Sequence, residues 1–393
     1  MREVVSDLET RAREELYINI NPIQAAGRLT PEAMRAVIAY GDGYSTCDAC
    51  RKPFRLDKIQ QPAIHEFHVE LAEFLGMDEA RVVPGARRGF QAVLSSLVEK
   101  GDAVLVSALA HYTEFLAVEA AGGTVREVPL DARSLVTGEA TARKIETVRE
   151  ETGRLPKLIM LDHFDYMLGN EHAVRDVAKV AKAYDIPFLY NGAYTVGILP
   201  VDGREIGADF IVGSGHKSFA SPAPSGILAL TDEWIKPVLR TTGMVGDVTK
   251  RKFGIKEVEM MGCTLMGANV IAMMASFPRI KERVKRWNEE VAKSNYFIDR
   301  FLKIAGNRCQ SELPRKHTLT KVDTTGSFDR IAKTHKRRGW FLSDELKKRG
   351  IIGEFEGATR AWKLNTYGLT WSQIRYLADA YHEVAETYGI PVV

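Results

Sequence analysis

Helical and strand-like segments alternate along the middle of the chain, and this alternation restricts the fold more than any other feature. From Pro62 onward, amphipathic stretches typical of helices are separated by short apolar runs typical of buried strands. Alternation of this kind predicts an α/β fold, in which a mostly parallel sheet is covered by helices on both faces. The predicted segments are helices Ala63–Leu75 and Arg87–Lys100, strand Ala103–Ser107, helix Tyr112–Ala121, strand Thr124–Val128, helix Ala140–Glu151, strand Lys157–Leu161, helix Glu171–Tyr184, and strands Pro187–Tyr190, Phe210–Gly213 and Gly226–Leu230.

Polar residues stand where several of the predicted strands end. Ligands of an open parallel sheet bind beyond the carboxyl ends of its strands. We therefore expect the functional site to include the residues at those ends, which are Ser107, Asp162, Asn191 and Lys217.

The length of the chain, 393 residues, predicts more than one lobe. We expect an N-terminal segment, 1–61, with a C-x-x-C loop and one short helix, Pro31–Tyr40, capped by Thr30. A large domain, 62–290, and a smaller C-terminal α+β domain, 291–393, follow, and a long helical region from Leu265 to Ile304 joins them. The active site is expected between the two lobes.

The composition is that of an ordinary globular protein, with 45% hydrophobic and 27% charged residues. No apolar run reaches membrane-spanning length, and the acidic, polar N-terminus does not resemble a signal peptide. We therefore expect a cytoplasmic protein without membrane contact. In a reducing compartment, its four cysteines are expected to serve a metal or catalysis and not disulfides.

The net charge of +3 neither identifies nor excludes a nucleic-acid binder, because a local basic face decides such binding. Two late segments, Arg279–Arg286 and Lys333–Arg349, are rich in basic residues. On helices they are typical of solvated faces, and a docking surface for a polyanion is the alternative.

Lys217 follows an apolar strand in a run of small residues, between His216 and Ser218. The upstream strand that begins at Phe188 ends at Asn191 in a similar polar turn. A lysine and an amide at one sheet edge meet the needs of a pyridoxal phosphate (PLP) enzyme. There the lysine forms the Schiff base, and a polar group meets the pyridine nitrogen. The alternative is a solvated lysine after a core strand.

The turn Pro84–Gln91 opens a predicted helix with a glycine, as a phosphate site does. Gly85, Ala86 and the Arg87 backbone are candidates for holding the cofactor phosphate, and the Arg87 side chain offers a second anion site. An ordinary helix N-terminus with surface arginines is the alternative. Two further candidate phosphate ligands stand just before the lysine, Ser214 and His216.

His111 and Tyr112 follow the strand that ends at Ser107. An imidazole at this position can stack on the pyridine ring, and Tyr112 can reach a substrate anion. A packing role is the alternative for His111, but its place after a strand, like that of Lys217, favours the functional role.

Cys47 and Cys50 form a C-x-x-C pair, and Cys263 stands alone. A single pair is a poor zinc site, because structural zinc takes four ligands. Three thiolates can instead hold an iron–sulfur cluster or carry sulfur as a persulfide. Loop thiols and one buried cysteine remain the alternative.

The chain resembles the O-phosphoseryl-tRNA:cysteinyl-tRNA synthases, fold-type I PLP transferases of the cysteine desulfurase-like group found in archaea. The resemblance runs from about Tyr17 to Gly389 and is far more specific than a general PLP signature. The motifs that carry it are Ile18–Gln24, Gly41–Cys50, Asn191–Gly197, Ile206–Ser218, Gly262–Thr264 and Thr359–Gly368.

The resemblance implies that phosphate is eliminated from phosphoserine esterified to cysteine tRNA, and that a sulfur donor then adds to give cysteinyl-tRNA. Lys217 would form the Schiff base and shuttle the α-proton. Asn191 would face the pyridine nitrogen and His111 would stack on the ring. Arg87 and Tyr112, with His111, would bind the departing phosphate.

The resemblance also implies partners and a sulfur site. Cys47, Cys50 and Cys263 match family cysteines implicated in sulfur delivery, including as ligands of an iron–sulfur cluster. The expected partners are the cysteine tRNA carrying phosphoserine, a sulfur donor, a second copy of the chain in a homodimer, and the phosphoseryl-tRNA synthetase. Arg360 stands where fold-type I relatives often keep a substrate-facing arginine.

One motif departs from the family pattern. The family carries an asparagine where this chain has Met167, so Asp165 is the expected polar contact to the cofactor. An Asn at 191, where many PLP enzymes have Asp, should weaken protonation of the pyridine nitrogen.

Two other functions remain open from the sequence. A cysteine desulfurase acting on free cysteine would use Cys309 as its nucleophile and would leave the C-x-x-C pair without a role. A non-catalytic tRNA or iron–sulfur scaffold would have no need of Lys217.

Overall fold

The structure, a computed structural model, describes residues 16–23, 25–41, 45–46, 64–252, 254, 257–259 and 265–393, with the backbone alone at 45–46 and 265–266. The chain forms two compact units. The larger comprises Ala26–Tyr166 and Glu171–Lys285, and the smaller comprises the residues before Ala26, Met167–Asn170 and Arg286–Val393. The boundaries 1–61, 62–290 and 291–393 stay a prediction.

Every helix and strand predicted between Ala63 and Leu230 is present, with ends shifted by up to three residues. The strands are β1 Ile18–Asn19, β2 Ser45–Thr46, β3 Glu79–Val83, β4 Ala103–Ser107, β5 Thr124–Val128, β6 Leu158–Asp162, β7 Phe188–Gly192, β8 Phe210–Ser214, β9 Gly226–Leu230, β10 Leu265–Met266, β11 Arg308–Cys309, β12 Leu319–Asp323, β13 Ile351–Ile352 and β14 Ala361–Asn365. The α-helices are α1 Pro31–Tyr40, α2 Ile64–Phe74, α3 Ala86–Leu97, α4 Tyr112–Ala120, α5 Gly138–Thr152, α6 Val174–Ala183, α7 Gly203–Ile206, α8 Gly215–Ser218, α9 Asp232–Val238, α10 Gly267–Arg283, α11 Trp287–Phe301, α12 Phe328–Ala332, α13 Trp340–Lys348 and α14 Trp371–Thr387.

The larger unit is built on a seven-stranded sheet with the order β3-β9-β8-β7-β6-β4-β5. Strands β8, β7, β6, β4 and β5 run parallel to one another, and β9 runs antiparallel to both of its neighbours. Strands β6, β7 and β8 are buried along their whole length, as a sheet covered on both faces requires. The predicted α/β fold with a mostly parallel sheet is confirmed.

One strand of this sheet, β3, is not predicted from the sequence. Arg81 interrupts its apolar pattern, yet this side chain is only 4% exposed. It forms ion pairs with Glu79 (2.6 Å) and Glu257 (2.9 Å), which neutralise its charge in the interior. The second partner is distant in sequence, so a local pattern cannot reveal it.

Side-chain caps set several helix boundaries. Helix α1 begins after Thr30, whose hydroxyl accepts the Ala33 N–H at 3.1 Å, as predicted. The helical region predicted from Leu265 to Ile304 consists of two helices, α10 and α11, separated by a 3-10 turn, Val284–Arg286.

The smaller unit contains the antiparallel sheet β11-β12-β14 and the parallel pair β1 and β13. Its core packs rings of Phe297, Phe301, Trp362 and Tyr381 against one another. Helices beside an antiparallel sheet match the predicted α+β lobe. None of the helices in the described parts of either unit has the length and apolar composition needed to cross a membrane.

Candidate active site

Three neighbouring strands bring the predicted site residues to one edge of the large sheet. Asp162 and Asn191 are register partners on β6 and β7, and Asn191 pairs with Val212 on β8. Strand β8 ends at Ser214, three residues before Lys217. Because these strands run parallel, their polar ends lie side by side, as the sequence predicts.

Lys217 lies on the one-turn helix α8, directly after β8. Its Nζ stands 4.8 Å from the centroid of the Tyr194 ring, a cation–π contact from the turn after β7. Arg283 of α10 donates hydrogen bonds of 2.6 Å to the carbonyl oxygens of Gly197 and Ser218, and so joins the two turns. These two hydrogen bonds therefore restrain the turn that carries the lysine.

Two further segments hold the lysine turn. Gly27 packs so closely that a Cβ there would overlap the His216 carbonyl oxygen. From the other side, Asn269 of α10 donates to the Pro222 and Pro224 carbonyl oxygens at 3.3 and 2.9 Å. The proline-rich loop after the lysine is thus fixed by hydrogen bonds to its backbone.

A cluster of anion-binding groups forms where α3 begins. Gly226 pairs with Ser214, and a Cβ on Gly226 would lie 2.7 Å from the Ala86 nitrogen. The first amides of α3 have no partner within their own helix. The buried hydroxyl oxygens of Ser214 and Ser225 have no hydrogen-bond partner within the described part of the chain. Two orphan hydroxyls beside a helix N-terminus form a cradle for an anion.

His216 lies against this cradle. Its Nδ1 stands 3.1 Å from the Ser225 carbonyl oxygen and must donate to it. Burial lowers the pKa of His216, the Ser225 contact opposes this shift, and the Lys217 charge adds to it. In the neutral ring Nε2 is an acceptor, so His216 donates to a phosphate from that atom only when protonated.

His111 caps helix α4 and accepts the Thr113 N–H at 3.3 Å through Nδ1. Its ring centroid lies 4.3 Å from that of Tyr112 and 4.8 Å from that of Tyr166. Tyr112 is 62% exposed, and Arg87, at the start of α3, is also exposed. Both side chains are therefore exposed, and their contact with a substrate anion stays a prediction.

Asn191 contacts a residue that is not predicted from the sequence, Glu114. Asn191 Nδ2 donates to Glu114 Oε1 and to Asp162 Oδ1, both at 2.6 Å, and Asn191 Oδ1 accepts the Ala193 N–H at 3.1 Å. Glu114 is fully buried on α4, which is unusual for a charged residue. In sequence, Glu114 stands three residues after His111, a spacing that places two side chains on the same face of a helix, and this spacing is the signal that could reveal it.

Burial raises the pKa of both carboxyl groups. For Glu114 it raises the pKa to about 7, against hydrogen bonds from Asn191 and Asp162 that lower it. For Asp162, burial raises the pKa well above its usual range, the charges of Glu114 and Asp165 raise it further, and Lys217 opposes them. Two buried carboxyl groups with raised pKa values are typical of a functional site.

Comparison with known proteins identifies the family. Residues 23–334 match the family model of the class-V aminotransferases. The chain is 69% identical over 390 residues to O-phospho-L-seryl-tRNA:Cys-tRNA synthase 2 of Methanoregula boonei, covering 99% of this chain and 86% of that protein. It is 68% identical over 392 residues to the synthase 2 of Methanospirillum hungatei, covering 100% and 86%. The chain belongs to the O-phospho-L-seryl-tRNA:Cys-tRNA synthase family.

Solved structures agree with this membership. The structure of a SepCysS–SepCysE N-terminal domain complex matches with a TM-score of 0.86 and 42% identity, over 94% of this chain and 95% of that chain. A cysteine desulfurase from Thermococcus onnurineus matches with a TM-score of 0.72 at 17% identity, over 95% and 96%, and shows the shared fold alone.

The cofactor of this synthase family member is PLP, and the residues fit it. The Ser214 and Ser225 hydroxyls with the α3 amides suit its phosphate, Lys217 suits its aldehyde, and Asp162 offers an orphan oxygen at the same sheet edge. The individual contacts of Ala86, Arg87, His111, Asn191 and His216 remain predictions.

The structure also describes Asp165, Met167 and Arg360. Asp165 is fully buried in the larger unit, and its charge acts on Asp162, whereas Met167 belongs to the smaller unit. Arg360 is an exposed side chain of the smaller unit, 3.5 Å from Asp329. The predicted roles of Asp165 and Arg360 stay predictions.

Cys47, Cys50 and Cys263 lie outside the described residues. Within the ranges that the structure does describe, no three His, Cys, Asp or Glu side chains are arranged to hold a metal. The iron–sulfur site therefore stays a prediction. The fourth cysteine, Cys309, is half-buried on β11, where burial raises the pKa of its thiol.

The basic segment Lys333–Arg349 contains ion pairs. Arg337 pairs with Asp344 at 2.8 Å, and Lys348 pairs with Glu345 at 2.7 Å. Both interpretations of this segment, a solvated face and a docking surface for a polyanion, stay predictions.

Proposed function

We propose that this chain converts O-phosphoseryl-tRNA(Cys) into cysteinyl-tRNA(Cys) with PLP as its cofactor. The observation that carries the proposal is Lys217, held beside an anion cradle and two buried carboxyl groups in a chain 69% identical to a named synthase. The reaction places the chain in tRNA-dependent cysteine biosynthesis. Its tRNA substrate implies a cytoplasmic location.

Lys217 is the residue that we assign to the α-proton. When bound, PLP supplies an electron sink for the charge that develops at the α-carbon. The Lys217 amine, once released from the cofactor, stands at the same sheet edge as a base of short reach. Arg283 and Gly27 restrict the movement of its turn, which keeps the amine in position.

Arg87, His111 and Tyr112 are assigned to the departing phosphate. This group carries a charge of about −1.5 to −2 near neutral pH, so its departure requires cations or hydrogen-bond donors. Arg87 begins helix α3 and Tyr112 begins helix α4, and the exposed side chains of both can meet a substrate that arrives from solvent.

Cys47, Cys50 and Cys263 are assigned to sulfur delivery, as a persulfide or as ligands of an iron–sulfur cluster. A pairing of two short strands supports a shared role. Thr46, which precedes Cys47 in sequence, pairs with Leu265, two positions after Cys263. Sulfur addition requires a thiolate, persulfide or bound sulfide, because a neutral thiol is a poor nucleophile.

The proposed partners are the aminoacylated tRNA, a sulfur donor, a second copy of this chain and the phosphoseryl-tRNA synthetase. The solved relative at 42% identity is a complex with a SepCysE N-terminal domain, which makes a similar domain a further candidate partner.

The deciding experiment supplies phosphoseryl-tRNA(Cys) and sulfide to the PLP-loaded protein. We expect phosphate and cysteinyl-tRNA to appear in equal amounts, and neither product with Lys217→Ala. Free phosphate without cysteinyl-tRNA would restrict the activity to elimination. No phosphate from a fully loaded protein would contradict the proposal.

The alternative, a desulfurase acting on free cysteine, requires Cys309 as nucleophile. Burial raises the pKa of that thiol, which opposes the role, since the thiolate is the reactive form. We expect Cys309→Ala to retain sulfur transfer and Cys263→Ala to lose it. The reverse result would support the desulfurase.

A further inference from the structure

A pocket of about 540 Å³ lies beside helix α13 in the smaller unit. Three aromatic rings, those of His335, Phe341 and Tyr388, and six charged side chains line it, and we call it the α13 pocket. Its volume falls in the range of about 300–1,000 Å³ that is usual for the sites of small ligands. The pocket is therefore large enough to take one building block of a larger molecule.

The three rings of the α13 pocket pack against one another. The centroid of the Phe341 ring lies 5.3 Å from that of His335 and 4.9 Å from that of Tyr388, and the last two lie 5.7 Å apart. Phe341 is 1% exposed, whereas His335 and Tyr388 are half-buried. Because these contacts fix the half-buried rings, the pocket has a preformed aromatic wall on which a planar group can stack.

Two polar groups of these rings have no hydrogen-bond partner within the part of the chain that the structure describes, His335 Nε2 and the Tyr388 hydroxyl. His335 Nδ1 accepts the Arg337 N–H at 3.1 Å, so the neutral imidazole carries its hydrogen on Nε2 and can donate it. The Tyr388 hydroxyl can donate or accept. The pocket therefore offers hydrogen-bonding groups as well as ring faces.

Cations outnumber carboxylates by two to one among the charged residues of the pocket, which are Lys336, Arg337, Lys347, Lys348, Asp344 and Glu345. Arg337 pairs with Asp344 at 2.8 Å, and Lys348 pairs with Glu345 at 2.7 Å. Lys336 is exposed and has no ion pair within the described ranges of the chain. The pocket therefore keeps a net positive charge beside its rings, which favours an anionic ligand.

We propose that the α13 pocket binds an unpaired nucleotide of the tRNA substrate, with the base on the rings of His335 and Tyr388 and a phosphate beside Lys336. Proteins recognise RNA at unstacked bases, which pack on aromatic side chains and form hydrogen bonds through their edges. The inference rests on the proposed function, which makes an aminoacylated tRNA the substrate.

A nucleotide accounts for both kinds of side chain in the pocket. An acidic peptide would use the cations but would not need the rings, and an apolar side chain would use the rings but would not need the cations. A nucleotide joins a flat aromatic base to a phosphate, so it matches rings and cations together. The proposal thus favours the docking surface over the solvated face for this part of the basic segment Lys333–Arg349.

The test measures the affinity of the PLP-loaded full chain for unacylated cysteine tRNA at several salt concentrations. We expect Tyr388→Leu to weaken binding by about 5- to 150-fold, because a stacked base is lost, and to leave the salt dependence unchanged. Tyr388→Phe keeps the ring and should lose less affinity than Tyr388→Leu.

Lys336→Ala should act on the salt dependence instead. Removing one phosphate contact lowers the magnitude of the slope of log affinity against log salt by about 1. Lys303→Ala, at an exposed position of the same unit outside the pocket, should match wild type in both affinity and slope.

A smaller slope in Lys336→Ala together with wild-type affinity in Tyr388→Leu would indicate a phosphate contact without a bound base and would overturn the inference. Wild-type behaviour of both variants would overturn it as well. If Tyr388→Leu does not fold, His335→Ala is measured in its place, and an affinity equal to that of wild type would have the same meaning.

Binding of unacylated tRNA involves no chemistry, so the inference and the proposed function can fail separately. If tRNA affinity falls in Tyr388→Leu but the wild type releases no phosphate from phosphoseryl-tRNA, the function alone is contradicted. If the protein makes cysteinyl-tRNA and binds tRNA equally well with and without the Tyr388 ring, the inference alone is contradicted.

Discussion

Two buried polar clusters in this chain differ in one respect, the number of atoms left without a partner. In the smaller unit, Arg315 is 1% exposed and donates to the Gly169 and Leu319 carbonyl oxygens at 2.7 and 2.6 Å and to Thr320 Oγ1 at 3.1 Å. In the larger unit, Asp162 and Glu114 are equally buried, but each keeps an orphan oxygen.

The difference separates a structural cluster from a binding one. Buried polar groups with all partners present stabilise a particular packing, and their partners come from the chain itself. Buried groups with orphan atoms reduce stability until a ligand completes them. The Arg315 cluster therefore stabilises the fold, whereas we propose that the Asp162 cluster belongs to the cofactor site.

The comparison would fail if Lys217, which lies beside the orphan atoms, were dispensable. We expect Lys217→Ala to lower the rate of phosphate release from phosphoseryl-tRNA by about 10⁴-fold, because the base for the α-proton is lost. Thermal unfolding should change little, since this position serves the cofactor. Lys236→Ala, an exposed lysine on α9, is the matched control. A loss of less than tenfold would contradict the assignment.

Removing Arg315 should have the opposite effect, a loss of stability without a loss of cofactor binding. Arg315→Ala leaves several buried carbonyl oxygens unpaired, so we expect the free energy of unfolding to fall by about 3–5 kcal/mol. Urea denaturation measures this, and PLP bound per folded molecule should stay the same. Arg308→Ala, exposed on β11, should be neutral. Lost cofactor binding with unchanged stability would reverse the comparison.

The buried carboxyl groups of Glu114 and Asp162 should make the stability of the protein depend on pH. Burial raises the folded pKa of Glu114 from 4.5 to about 7, so the unfolded chain loses this proton first and stability falls as pH rises across that window. The contribution amounts to at most about 3 kcal/mol. Burial lowers the pKa of His172 to about 4, which acts in the opposite direction.

For this reason the measured quantity is the difference between wild type and Glu114→Gln apoprotein, not either curve alone. We expect wild type to lose more stability than the variant on going from pH 4.5 to about 7.

The smallest expected effect concerns the packing around the lysine. Gly27→Ala places a Cβ on the His216 carbonyl oxygen, so we expect the lysine turn to shift and PLP affinity to fall by an amount worth about 1–3 kcal/mol. Gly243→Ala, where a Cβ would meet nothing within 4 Å, is the control. Equal affinities would show that the Gly27 contact does not position Lys217.

Local pattern predicts most of the large sheet and part of the site. The Thr30 cap, the buried strands and the polar residues at their ends all depend on neighbours within a few positions. Strand β3 escapes prediction because Arg81 is neutralised by Glu257, far away in the chain. Glu114 escapes because its partners belong to β6 and β7 and not to its own helix.

The sequence by itself determines that this is an α/β PLP enzyme of a particular synthase family, because alternation and the motif around Lys217 are local properties. Only the tertiary structure decides what Asn191 does. Its two amide hydrogens are donated to carboxyl groups from a neighbouring strand and a covering helix, and burial raises the pKa of both groups. Hydrogen-bond partners and desolvation depend on distance in space, which residue spacing in the chain does not record.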